Sequence, residues 1–67
     1  MKKAKPIEYR VTFNPERGRY EVRSSEKPEK ALYSCVSMPH ANDWAECEAW
    51  RHRVLGWEPI VVIPCEG

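Results

Sequence analysis

The chain is short of most of what enzymes are built from. Its three glycines form no glycine-rich loop of the kind that cradles phosphate. No serine stands in a nucleophile elbow, and no carboxylate pair is set around an obvious cleft. Long apolar runs are missing too. The longest, Ile60 to Ile63, has four residues, against about twenty for a membrane-spanning helix. Cysteines number three, Cys35, Cys47 and Cys65, an odd count at irregular spacing that is not a disulfide framework. The basic start, Met1 to Arg10, has no apolar stretch behind its lysines, so a secretory signal is not expected. These absences point away from an enzyme, a membrane and a cofactor, and toward a cytoplasmic protein with reduced thiols.

What is present is enough for one small domain. Sixty-seven residues, 42% hydrophobic and 31% charged, have the composition of a folded chain. A domain of this size buries only about 60% of the surface its unfolded form exposes. Three tryptophans and three tyrosines matter for that reason, because each ring covers a large area. A second copy is another way to gain burial, so monomer and homodimer both stay open. Charge is unevenly placed. Residues 1–30 carry nine Lys/Arg against five Glu, and residues 31–67 carry two Arg against five Asp/Glu, so the halves stand at +4 and −3. Such a basic end and acidic end can orient a partner.

Residues 1–6 read as a flexible basic arm, 7–64 as a single domain and 65–67 as a tail. Tyr9-Arg10-Val11-Thr12-Phe13 alternates apolar and polar, the period of a half-buried strand. Asn14-Pro15-Glu16-Arg17-Gly18 is a turn, and Arg19-Tyr20-Glu21-Val22-Arg23 alternates again, so the two make a hairpin. Residues 24–30 read as a loop and 31–38 as a third strand that Pro39 ends. Its Leu32, Val36 and Met38 lie on one side, Tyr33 and Cys35 on the other, and either side could point inward. Asn42 or Asp43 fits an N-cap, and Asp43 with Glu46 has capping-box spacing. The helix expected over 43–55 places Trp44, Cys47, Trp50, Val54 and Leu55 on one stripe, with Gly56 as its stop. Residues 57–63 resume as a strand, apolar on both faces around Ile60-Val61-Val62-Ile63 as in a buried strand, with Pro59 and Pro64 limiting its paired part.

The order is β-β-β-α-β, an α+β domain. A mixed, mostly antiparallel sheet is expected, with one helix packed on one face, a right-handed crossover and the fourth strand beside the first or the third. The far face would stay open, carrying Arg10, Thr12, Arg19, Glu21 and Arg23.

One spacing deserves a metal test. Cys35, His40, Cys47 and His52 read C-x4-H-x6-C-x4-H. Zinc sites draw ligands in tight pairs from one turn, whereas residues five apart on a helix point about 140° away from each other. The expectation is no metal, with Cys47 buried as a small apolar residue and His52 exposed. Cys47 also stands between Glu46 and Glu48, the opposite of the electropositive setting a reactive thiol needs.

Binding is what remains. An open face of Arg, Glu and Tyr suits a polar protein interface, with Arg10, Arg17, Arg19, Glu21, Arg23 and Tyr33 as its candidate residues and Trp50 or Trp57 as an exposed anchor. The alternative is a nucleic-acid module. In it the arm (Lys2, Lys3, Lys5) and the hairpin arginines follow a phosphate backbone while Tyr33 stacks on bases.

The run from Tyr9 to Val22, followed by a third strand, a helix and a strand, resembles the β-β-β-α-β core of HicB-type antitoxins. That likeness implies a domain which neutralises a small ribonuclease toxin. The third strand lacks the family's Leu-Pro-Gly-Cys type of turn, and no functional residue is carried over. In size, single-domain economy and absence of catalytic equipment the chain is also similar in kind to small phage and mobile-element inhibitors such as anti-CRISPRs. That likeness implies a non-enzymatic inhibitor or adaptor that occludes a partner's surface.

Overall fold

A computed structural model describes residues 6–65. Most of the arm, including Lys2, Lys3 and Lys5, and most of the tail lie outside the described residues. The first hairpin forms as its alternation predicts. Strand β1 (Ile7–Asn14) pairs antiparallel with β2 (Arg19–Ser24), with Val11 opposite Val22 and Thr12 opposite Glu21. The turn between them is held by Asn14. Its carbonyl accepts from Gly18 N–H at 2.8 Å, and its side-chain Oδ1 accepts from Glu16 N–H at 3.0 Å. Gly18 sits at φ 65°, where a side chain is disfavoured.

Strand β3 (Lys27–Cys35) starts earlier than expected. A tight turn at Ser25–Glu26, in which Glu26 N–H donates to Ser24 Oγ at 3.1 Å, brings Lys27 opposite Ser24. The register then shifts between Ser24 and Arg23 and again between Arg23 and Val22, so residues 28–30 and Leu32 are extra on β3. The polar stretch expected as a loop is therefore a bulged start of a strand. Tyr33 and Cys35, opposite Val22 and Tyr20, are the side of β3 that faces the core.

Helix α1 (Met38–Leu55) also starts earlier than expected. Ser37 is its N-cap and Pro39 lies in its first turn, so the expected capping box at Asp43–Glu46 falls inside the helix. Proline does not end a helix there, because the first amides have no intrahelical acceptor to lose. Asn42, read as a cap, has another task. Its side-chain amide donates to Cys65 O at 3.2 Å and its Oδ1 accepts from Cys65 N–H at 3.1 Å, tying the chain after the last strand to the helix. The helix ends as expected. Gly56 is left-handed at φ 74°, its N–H donates to Arg53 O, and Trp57 N–H donates to His52 O at 2.8 Å, the paired bonds of a Schellman stop.

Strand β4 (Ile60–Ile63) fills the stretch between Pro59 and Pro64, as those prolines predict, while residues 57–59, also expected in the strand, stay outside it. It pairs parallel to β1, giving one mixed sheet in the order β3-β2-β1-β4. The fold is α+β, β-β-β-α-β, with the helix on one face. β4 is an edge strand and not a buried one, and the prolines that bracket it blunt that edge.

The core is small and lies between helix and sheet. Val11, Val22, Ala41 and Ala45 are its buried members, with Tyr9, Tyr20, Tyr33, Trp44 and Val62 packed around them. The sheet supplies the bulk and the helix supplies alanines, which let it lie close. Trp44 sits at the margin, stacked on Tyr33 (ring centroids 4.9 Å apart, planes 1° off parallel) and near Tyr9 (6.3 Å). Burial raises the Tyr9 hydroxyl above its ordinary pKa, with Glu48 and Glu26 adding to the effect.

This arrangement overturns the expected helix stripe. At about 100° per residue, Ala41 and Ala45 fall opposite Cys47, Trp50 and Val54. Those three, with Leu55, are exposed, while Trp44 alone of the expected stripe packs on the core. Cys47 was expected buried and is exposed. His52 was expected exposed and is half-buried, its Nδ1 2.8 Å from Glu58 O and its ring edge-on to Trp57. Facing a carbonyl, that nitrogen carries the proton.

Candidate functional site

Alternation along β1 and β2 sends Val11 and Val22 to the helix and their neighbours to the opposite face. Cross-strand pairs on that far face are Arg10 with Arg23, Thr12 with Glu21 and Asn14 with Arg19. Across the parallel pairing, Glu8 stands beside Val61 and Arg10 beside Ile63, so β4 adds an apolar border to the charged face. No other element covers this face among the described residues. A shallow depression of about 130 Å³ lies in it between Arg10, Arg23, Ser24 and Pro28.

The face is organised around one carboxylate. Glu21 is buried by its neighbours: Arg23 donates to it at 2.7 Å and Asn14 Nδ2 at 3.2 Å. These hydrogen bonds, Arg23 first and Asn14 second, hold the Glu21 carboxyl below its ordinary pKa. Arg23 also donates to Pro28 O at 3.0 Å, on the bulged start of β3. Arg19 is held by Ser34, through its Oγ at 3.1 Å and its carbonyl at 3.3 Å. Two guanidiniums are thus committed to internal partners before any ligand arrives. Arg10 and Thr12 on the strand, and Arg17 in the turn, are exposed.

Of the six residues expected to form a binding surface, four share this face: Arg10, Arg19, Glu21 and Arg23. Arg17 lies at the end of the hairpin. Tyr33 does not join them, because its ring stacks on Trp44 and approaches His40 (5.9 Å) on the helix side. It is no platform for bases on the open face. Val61, 45% exposed, is the surface residue that the sequence reading missed. The signal was available, since an alternating strand covered on one side must turn every second residue outward.

A second exposed surface lies on the outer side of the helix, where Trp50 is 63% and Val54 58% exposed, with Leu55 and Trp57 also open at the helix end. The cysteines and histidines do not gather. Cys35 donates to Ser37 O, Cys47 is on the outer helix, and no three His, Cys, Asp or Glu side chains among the described residues are placed to hold a metal ion. No helix among them is long and apolar enough to cross a membrane. Compared with protein-family models, with curated proteins and with solved structures, the chain finds no match in any of the three.

Proposed function

We propose that this domain is a non-enzymatic inhibitor or adaptor that binds another protein through the open sheet face. It acts by covering a functional surface of that protein, as small phage and mobile-element inhibitors do. The observation that carries this reading is the juxtaposition of Val61 and Ile63 on β4 with Arg10 on β1, beside an Arg23 already braced by Glu21. Apolar side chains next to arginines held in place are the composition of protein-recognition surfaces. The partner that fits is a surface with carboxylates opposite Arg10 and Arg17 and an apolar side chain opposite Val61.

Nucleic acid fits less well. Arg19 and Arg23 spend their donors on Ser34, Glu21 and Pro28, and Glu8 and Glu21 put negative charge where a phosphate backbone would run.

Arg10→Ser with Val61→Glu is the discriminating variant, because both residues are exposed and no new carboxylate is set opposite Arg23 to compete with Glu21. A partner captured from the native host should lose at least ~100-fold in affinity for the double variant, on the scale of two interface anchors. Undiminished binding places the interface elsewhere. Oligonucleotide binding that falls steeply between low and moderate salt would replace this reading with the nucleic-acid one.

A further inference from the structure

We infer that the outer face of α1 is the interface of an antiparallel homodimer. The helix turns Ala41 and Ala45 inward, keeps Trp44 at the margin of the core, and leaves Trp50 and Val54 outward. Ala41 and Ala45 are fully buried, while Asp43, Cys47, Trp50 and Val54 are exposed. The spacing of those four is 4-3-4, which places them in one line along a straight helix and gives the seam of a two-stranded helical pair.

The occupant follows from the charges beside the seam. Glu46 and Arg53 border it on one side and Arg51 on the other, all exposed. Arg51 is already paired with Glu48 at 3.2 Å, three residues away. Glu46 and Arg53 make no ion pair among the described residues. They are seven residues apart on the same flank. When two such helices pack antiparallel, a flank meets the same flank of its partner. Glu46 of each copy then faces Arg53 of the other, and one two-fold axis satisfies both pairs. A parallel pair would instead bring two Asp43 side chains together within the seam, where like charges repel. The antiparallel arrangement separates them and also opposes the helix dipoles.

The size is adequate. A full tryptophan offers up to ~250 Å², so Trp50 at 63% exposure contributes about 150 Å² per copy. With Val54, Cys47 and the flanking charged stems, two copies together reach on the order of 1,000 Å², where specific interfaces begin. Interfaces at that lower bound belong to weak, reversible association, so micromolar concentrations are the range in which to look for it.

Sedimentation equilibrium from about 2 to about 200 µM tests this. The wild-type chain should shift from monomer to dimer across the range. Trp50→Glu should weaken association at least ~100-fold while leaving the circular dichroism spectrum unchanged, because the side chain is exposed in the monomer. If that variant fails to fold, Val54→Lys serves in its place. Glu46→Arg should weaken association about 10-fold, and adding Arg53→Glu should restore it to within about 3-fold. A chain that stays monomeric throughout, or a Trp50→Glu variant that dimerises as well as wild type, overturns the proposal. Rescue of Glu46→Arg by Arg51→Glu and not by Arg53→Glu overturns the antiparallel arrangement.

Discussion

Two tryptophans six residues apart on one helix should differ sharply in what they contribute to folding. Trp44 packs on Tyr33 and Tyr9, whereas Trp50, about 120° further round the helix, is 63% exposed. Removing the Trp44 ring withdraws roughly 150 Å² of apolar burial, worth ~4 kcal/mol at 25 cal/mol per Å². A compact denatured state already hides part of that area, which lowers the figure to about 3 kcal/mol. The lost aromatic stacking adds ~1 kcal/mol. A chain of this length holds only ~3–10 kcal/mol in total. Trp44→Ala therefore leaves a domain close to unfolded, and Trp44→Phe, costing ~1 kcal/mol, is the more useful variant. With a urea slope near 1 kcal/mol per molar, Trp44→Phe should lower the unfolding midpoint by about 1 M. Trp50→Ala should move it by less than ~0.5 M, provided the protein is near 1 µM so that self-association does not contribute. The reasoning is refuted if Trp50→Ala costs as much as Trp44→Phe in dilute solution. That result would mean the helix presents the Cys47–Trp50–Val54 side to the sheet.

Two further outcomes follow from single side chains. Asn42→Ala removes both hydrogen bonds to the Cys65 backbone and should cost ~1–2 kcal/mol in a urea titration, while helix content by circular dichroism stays the same. Glu21 has a folded-state pKa below its unfolded value, so its contribution is present above the unfolded pKa, near 4.3, and is lost as pH falls through the lower folded value. Wild type should therefore lose stability on acidification in that window, and Glu21→Gln should show a flatter profile, read as the urea midpoint against pH.

The parts of the fold legible in the sequence are those where one local signal decides the outcome. The hairpin is legible because period-two alternation on both sides of Asn14-Pro15-Glu16-Arg17-Gly18 has no rival reading, and Gly56 is legible as a stop because a left-handed residue is needed there. Pro39 misleads because the same ring that ends a strand is harmless in the first helical turn, and the choice depends on where Ser37 caps. The helix face misleads for a different reason. Large apolar residues were expected to face the sheet, but Tyr9, Tyr20 and Tyr33 already fill that space and the helix answers with Ala41 and Ala45. Which partner supplies the bulk is a property of the pair, invisible in either segment alone. The same holds for β4. Its run of four apolar residues reads as a buried strand until pairing beside β1 puts it at an edge, with Val61 turned outward. On the open face, Arg10, Arg19, Glu21 and Arg23 were placed together by alternation. Tyr33 was not, because both sides of residues 31–38 carry apolar side chains and only the pairing of Tyr33 opposite Val22 settles which side faces the helix.

The two exposed surfaces bear on each other through the small core. With only Val11, Val22, Ala41 and Ala45 buried in its centre among the described residues, the monomer has little margin. A ligand that binds only the folded state stabilises it by mass action, and a second copy is such a ligand. Pairing through the outer helix would therefore raise stability with concentration. It would also leave the sheet faces unobstructed, because each helix lies between the dimer axis and its own sheet. The Arg10–Val61 surfaces of the two copies would then point outward in opposite directions. A partner with a single copy of the matching surface would gain nothing from that, whereas a repetitive or oligomeric partner would be held at two points and lost more slowly. A dimer-disrupting Trp50→Glu change should accordingly leave the affinity of one sheet face unaltered and shorten residence only on a partner that offers the surface more than once.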